Sequence, residues 1–509
     1  MSARIPLNSG AYQARSLIAN AQRSINLYLE ANPPETEPPV PFTLYPRPGL
    51  KLLSHAPTFG IGRCVYCDTQ GNLYAVAGQT VYYIDTSFNY VAIGQIAAGT
   101  SIVSMSDNGT TVLLVDGTTA GYLIDIQSKA FSTISDPNFF GGNLVSYVRT
   151  VFVLNHPGTR EFYISGSNAV TWDALDFGEK TSSADPLVGA PALNDQIWLL
   201  GTKKGEVWYF SGDVNFPFQQ LPNVVIEHGV AATYSIGQSD KFLFWLTQDK
   251  DGKPWIARGA ADYSVVKVST FAMDDEIRKY AKWSDAVGYC YQVMGHTFYQ
   301  IDFPSADKSW VYDLSLMGTG NEWNQYSSCD INGNLHRLNG FLSAYAYNTN
   351  VMIDWKNGDL YSFDPETFTD NMNPVVCIRG FPHVGANGNE ISYPGFMADM
   401  EVGQMPDSLL DDNGEIIDSP WNLGFSPAFG PFFHQQNPIV TMRFSNTRGA
   451  SFGDKRPRTL GSTGQYAQIL KWDSCGLARD GVFELEWAVP CKTSLQGAFL
   501  WPVPEQAET

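Results

Sequence analysis

Apolar and polar residues alternate along most of this chain in short runs, and the runs come in pairs joined by a turn. Residues 73–85 read Leu-Tyr-Ala-Val-Ala, a Gly-Gln turn, then Thr-Val-Tyr-Tyr-Ile-Asp. The same pattern returns at 111–125, 151–164, 196–210, 241–258, 289–302 and 351–364. Side chains in a strand point to opposite faces with a period of two, so each run predicts a strand and each pair a hairpin. The turns hold residues that tolerate positive φ or pre-set a bend, such as Asp116-Gly117, Asp251-Gly252 and Asn357-Gly358.

The hairpins recur roughly every 40 to 60 residues, near the period of propeller blades. A four-stranded blade leaves apolar side chains on both faces, and stacking blades around an axis buries them. The expected fold is therefore all-β: a β-propeller of about seven blades, with six or eight as alternatives, over residues 51–370. A pair of β-sandwiches is the competing architecture. WD-type signatures are absent.

Either side of the repeat the pattern changes. Residues 9–28 carry Arg15 and Arg23 among small and apolar residues and predict one short helix. Residues 32–41 hold five prolines, too many for a helix or a central strand. Residues 1–50 thus read as an N-terminal arm with a proline-rich linker. After 371 the repeat stops, and alternation returns at 439–445, 466–472 and 482–489. This predicts a C-terminal β-sandwich-like region, 371–509, with long loops.

Composition supports the all-β reading. Charged residues are 16% and aromatic residues 13% of the 509, with 46 Gly and 30 Pro, which favours short strands and tight turns over solvated helices. The net charge of −19 lacks the basic footprint that holds phosphates. Stable DNA binding is not expected; a negative wall suits a conduit along which DNA slides without sticking, though acidity also serves solubility. Seven scattered Cys and no leader pattern suggest folding in a reducing cytosol. No apolar run reaches the length of about 18 residues needed to span a membrane.

Candidate chemistry is sparse. Cys64 and Cys67 form a lone CxxC in an apparent strand, on opposite faces, and read as ordinary buried thiols rather than half of a zinc site. The seven His have no paired metal spacing, and neither a Walker loop nor a GxSxG elbow occurs. Propeller sialidases repeat an Asp-box; Thr247-Gln-Asp-Lys-Asp-Gly-Lys-Pro-Trp approximates it once, with its Gly one position late. Asp249 and Asp251 therefore read as turn residues, as do the strand-ending Asp85, Asp125, Asp302 and Asp364. No catalytic residue, cofactor or metal site is expected.

Two surface features remain. Arg443, Arg448, Lys455, Arg456 and Arg458 form the one dense basic cluster, suited to an acidic partner or DNA, or simply a solvated loop. Trp421, Phe425, Phe429, Phe432 and Phe433 make an aromatic loop that either buries itself in a subunit interface or covers the sandwich core.

Laid out in order, these segments resemble a known family. They include Ala14-Arg-Ser, Ala21-Gln-Arg, Asn26-Leu-Tyr-Leu-Glu and Pro48-Gly-Leu-Lys near the start. Mid-chain come Gly205-Glu-Val-Trp-Tyr-Phe-Ser-Gly, Gly229-Val-Ala-Ala-Thr-Tyr and Val268-Ser-Thr-Phe-Ala-Met-Asp-Asp-Glu-Ile-Arg-Lys-Tyr. His296-Thr-Phe-Tyr-Gln-Ile-Asp-Phe-Pro, Trp310-Val-Tyr-Asp, Leu460-Gly-Ser-Thr-Gly-Gln-Tyr and Gly476-Leu-Ala-Arg-Asp-Gly-Val-Phe-Glu-Leu follow. The chain is similar throughout to the packaged-DNA stabilisation proteins, or tail accessory factors, of short-tailed phages (podoviruses). It departs where Phe452 stands for an expected Trp and Asn446-Thr-Arg replaces a more acidic turn, which affects partner contacts rather than fold.

The resemblance implies a non-enzymatic virion subunit made in the host cytoplasm. It implies a homo-oligomeric ring, a hexamer, forming the tail hub or nozzle below the portal and head–tail adaptor. Tailspikes or tail fibres attach nearby, a plug or needle seals the channel, and DNA passes through during ejection. The competing functions are a carbohydrate-active propeller enzyme and a generic propeller interaction module.

Overall fold

The computed structural model describes residues 3–7, 22–32, 41–213, 216–385, 388–402, 439–460, 468–489 and 491–500. Seven blades follow one another, each built on four antiparallel strands; four are separate four-stranded sheets and three belong to larger sheets. Blade one is Gly62–Cys67, Leu73–Ala77, Thr80–Ile84 and Tyr90–Gln95 in that spatial order. Blades two to five span 104–133, 145–179, 187–226 and 237–267, and blade six spans 287–329. Every hairpin expected from the alternation lies inside a blade.

The ring closes between the chain's two ends. Blade seven takes Gly340–Ala346, Thr349–Asp354 and Leu360–Asp364 from the end of the repeat, and its outer strand, Gly49–Ser54, comes from before blade one. Phe363 pairs with Leu50 and Asp364 with Gly49 in the antiparallel register. Hydrogen bonds thus join the first and last propeller segments. Removing apolar surface from water drives the stacking. Seven separate apolar clusters each belong to two neighbouring blades, from Val76, Val112 and Leu114 between blades one and two to Val65, Leu73, Val351 and Ile353 between seven and one.

The turns show why strand-ending Asp is so frequent. The Asp68 carboxylate accepts from the amides of Gln70 (2.9 Å) and Asn72 (2.8 Å) and from the Asn72 side chain (2.9 Å). Asp85 repeats this with Ser87 and Asn89, and Asp330 with Asn332 and Asn334. Asp249 takes the amides of Asp251 and Lys253, so it is a turn residue as expected. The position before the closing Asn or Lys has positive φ and is Gly in three of these four turns; in the fourth it is Phe88, whose ring packs edge-on against Tyr347 of blade seven at 5.7 Å.

Asp302 departs from its expected role. It lies inside the His296–Phe303 strand, 1% exposed, accepting from Gln300 at 3.1 Å. The strand runs one residue further than expected, so Asp302 pairs with Ser309 inside it and Phe303 with Lys308.

The second module is a β-sandwich drawn from both ends of the chain. One of its sheets runs Leu27–Ala31, Phe42–Pro46, Thr493–Leu500, Ile391–Val402, Gln468–Ala478, with Ala3–Ile5 also on Thr493–Leu500. The other continues blade six: beyond Trp323–Cys329 come Ser24–Ile25, Cys377–Gly380, Asp480–Trp487, Ile439–Ser445 and Arg456–Thr459. Between the sheets lie Leu27, Leu29, Phe396, Trp472, Phe483 and Trp487, with Phe396 stacked on Phe483 at 4.7 Å.

The N-terminal segment therefore differs from the expected arm. Its described strands are paired, and Ile5, Ile25, Leu27, Leu29 and Leu44 on them are core. Residues 24–28, expected to end a helix, belong instead to two strands that run to Ala31, because Ile25, Leu27 and Leu29 alternate and all three are buried. Residues 9–21 of the expected helix, and 33–40 of the proline-rich stretch, lie outside the described residues.

Candidate assembly site

The candidate site is built where the two modules join. Ser24–Ile25 lies between them, parallel to blade six through Ile25 and Gln325, and antiparallel to the sandwich through Ile25 and Ile378. Only two residues long, this strand needs a strong local anchor. Asn26, which follows it, supplies one. Its backbone takes a left-handed φ of 57°, a conformation Asn tolerates better than most residues. Its side-chain oxygen accepts from the Ser327 amide at 2.7 Å and from Arg47 Nε at 2.9 Å, while its Nδ2 donates to Val376 O at 2.8 Å and Ser327 Oγ at 3.1 Å.

Arg47 completes the knot. Both of its terminal nitrogens face Asp370, at 3.0 and 2.5 Å, and they also donate to Pro48 O and Ser327 O. The guanidinium and carboxylate are fully shielded from water. Ser328 Oγ donates to Asp370 at 2.7 Å. Burying an ion pair is costly, and the cost is offset only where the remaining donors and acceptors are met, as here. One residue from each of four segments (Asn26, Arg47, Ser327 and Asp370) is thereby fixed relative to the other three. Sequence reading passed over them. The available signal was a lone Arg between two prolines in a charge-poor chain.

The basic cluster lies at the sandwich's open edge. Arg443 pairs with buried Glu484, its Nε at 2.8 Å, and rests on the Phe452 ring. Lys455 meets Glu486 at 2.5 Å, and Arg448 meets Asp480 at 3.5 Å. Arg456 donates to the carbonyls of Asp473 and Ser474, and Arg458 Nε to Lys471 O at 2.9 Å. Those carbonyls belong to the last strand of the opposite sheet, so two arginines cap acceptors that an edge strand leaves unpaired. Each of the five basic groups has a hydrogen-bond or ion-pair partner within the sandwich. The aromatic candidates Trp421, Phe425, Phe429, Phe432 and Phe433 lie outside the described residues.

Other candidate chemistry separates in space. Cys64 and Cys67 face different blade interfaces, and burial pushes the Cys64 thiol up to about 12. Among the described residues, no three His, Cys, Asp or Glu side chains converge as metal ligands, and no helix is long and apolar enough to cross a membrane.

A family model described as bacteriophage P22 Gp10, β-propeller, matches residues 3–368, most of the chain and all seven blades. The chain belongs to this phage-stabilisation family. It is thus a structural phage protein concerned with stabilising packaged DNA, as the sequence resemblance implied. Asn26, Arg47 and Ser327 fall inside the family match, Asp370 lies just beyond it, and the aromatic run and the basic cluster lie well outside it, at 421–433 and 443–458. No curated protein sequence matches this member of the Gp10 family. Its coordinates are similar to a chain in a crystal structure of a mitotic checkpoint complex, at 12% identity and TM-score 0.38, covering 59% of this chain and 89% of the other. They are also similar to a chain in a Saccharomyces cerevisiae complex of a Dbp5 variant with Nup159, Gle1, IP6 and ADP, at 10% identity and TM-score 0.38, covering 62% and 95%.

Proposed function

We propose that this chain is the repeating subunit of a ring, six copies around, that forms the hub or nozzle of a short phage tail. The ring sits in the virion below the portal and head–tail adaptor, extends the DNA channel, and retains the packaged genome until a plug or needle is displaced. Tailspikes or fibres dock on it. The observation that carries this reading, beside family membership, is the sheet that passes unbroken from blade six into the sandwich and is knotted by Arg47 and Asp370. Such a wall element resists bending between its two modules. Rings of identical subunits use head-to-tail interfaces that close by rotation, and a stiff subunit fixes that rotation. A net charge of −19 supports passage of DNA without adhesion.

The aromatic residues from Trp421 to Phe433 are the proposed subunit contact, and the arginine-capped edge a second candidate surface. Imaging purified virions with an antibody to this chain tests the placement: label below the capsid vertex supports it, and label elsewhere overturns it. Mixing the purified chain with portal–adaptor rings should give a complex holding six copies. Glycan turnover by the purified chain would favour the enzymatic alternative instead.

A further inference from the structure

The junction holds a second polar group that ring formation does not call upon. His296 opens the second strand of blade six, its side chain 12% exposed. Nδ1 lies 2.7 Å from Oδ2 of Asp313, in the same blade and fully buried. Nε2 points the other way, 3.9 Å from Oε1 of Glu30 on the Leu27–Ala31 strand of the sandwich. The ring is stacked on Phe298 (5.7 Å, 9° between planes) and meets Tyr28, also from the sandwich, edge-on at 5.5 Å. Tyr28 in turn stacks on Tyr45 and donates to Met294 Sδ.

The titratable groups around the imidazole are Asp313 from blade six, Glu30 and Tyr28 from one sandwich strand, Tyr45 from the next, and Tyr326, which couples to Tyr28. One carboxylate comes from each module. The doubly protonated ring donates to Asp313 and attracts Glu30. When it loses a proton, the short bond to Asp313 retains the hydrogen on Nδ1, and Nε2 then turns a lone pair toward the Glu30 carboxylate. Attraction between modules becomes repulsion.

We propose that His296 is a proton-operated clasp between the two modules, gripping the Leu27–Ala31 strand against blade six as imidazolium and loosening it when neutral. The hydrogen bond and charge of Asp313 raise the His296 pKa above its ordinary value of 6.5, against burial, and Glu30 adds to the rise. A group raised on folding contributes fully below its unfolded value, and that contribution fades as pH climbs through the folded one. The clasp is therefore closed in mild acid and opens on the alkaline side of 6.5. This inference does not depend on the ring reading, since it concerns one subunit.

Amide hydrogen exchange of the full-length protein from pH 5.5 to 9, corrected for the intrinsic rate at each pH, tests it. Protection of residues 27–31 should fall as the ring loses its proton, about tenfold for each unit by which docking of the Glu30 strand itself raises the pKa, with blade three (145–179) unchanged. In Glu30→Gln the amide donates to the neutral Nε2, so the fall should largely vanish while protection at pH 6 persists. His296→Gln should be flat across the range. A flat wild-type profile, or the same pH dependence in Glu30→Gln as in the wild type, would overturn the proposal.

Discussion

Arg47 and Asp370 stand 323 residues apart in the chain yet meet through two charge-assisted hydrogen bonds, of 2.5 and 3.0 Å, at the seam of the two modules. Removing one partner of such a pair leaves the other charge buried and unpaired, which typically costs about 3–5 kcal/mol. Arg47→Met should therefore lower stability by that order in urea unfolding. Because the pair ties propeller to sandwich, the loss should also split one transition into two, followed by tryptophan fluorescence and far-ultraviolet circular dichroism together. A single transition displaced by under about 1 kcal/mol would show that the seam does not rely on it.

Closure of the ring rests on Gly49, where the first propeller strand enters blade seven. A methyl group there would overlap the backbone oxygens of Thr367 and Thr369, and the Gly49 amide donates to Thr367 at 2.7 Å. Overpacking against backbone costs about 1–3 kcal/mol or more. Gly49→Ala should lower Tm and speed hydrogen exchange in residues 49–54 and 360–364, with blade three unaffected.

Asp302 makes stability depend on pH in the opposite sense to most carboxylates. Burial raises its pKa from 3.8 to about 6, with Ser309, Arg337 and Gln300 opposing the rise. A raised folded pKa means the contribution is present below 3.8 and lost as pH increases through about 6. Asp302→Asn should then be the more stable protein at pH 8, by about 2–3 kcal/mol from a shift near two units. Tm measured from pH 4 to 8 should converge for the two proteins at the acid end. Wild type more stable at pH 8 would contradict this.

Arg456 and Arg458 are expected to matter for solubility rather than nucleic acid. Replacing both with Ala uncaps carbonyls along the Gln468–Ala478 edge strand. Both side chains sit at the surface, so stability should change by no more than about 1 kcal/mol. Self-association in sedimentation velocity should rise, and the anisotropy of labelled duplex DNA should stay at the wild-type value. Restored monodispersity with Lys at both positions would fit charge on the edge as the protective factor.

Much of the architecture was readable because blades are local. A hairpin needs about a dozen consecutive residues, and Leu73–Ala77 and Thr80–Ile84 announce themselves as two short apolar runs either side of a Gly-Gln turn. Blade number followed from counting such units. The sandwich was harder, since its partners are distant: Ser24–Ile25 is too short to signal a strand, and helix-favouring residues precede it. Its identity depends on Gln325 and Ile378, hundreds of positions away. The knot at Arg47 was hidden for the same reason, because a lone charge shows neither its burial nor its partner. The basic cluster was visible as composition, but its role was not. Only the facing carbonyls at 471–474 explain why arginine stands there.

The strand at Ser24–Ile25 also decides how the molecule carries load. A pull on the sandwich along the direction of the blade-six strands works against the single Ile25–Gln325 pairing together with the bonds that Asn26 and Arg47 make to Ser327 beside it. A flexible tether would stretch first and spare the blades. Among the described residues none lies at that seam, so pressure on either part is felt immediately by the whole.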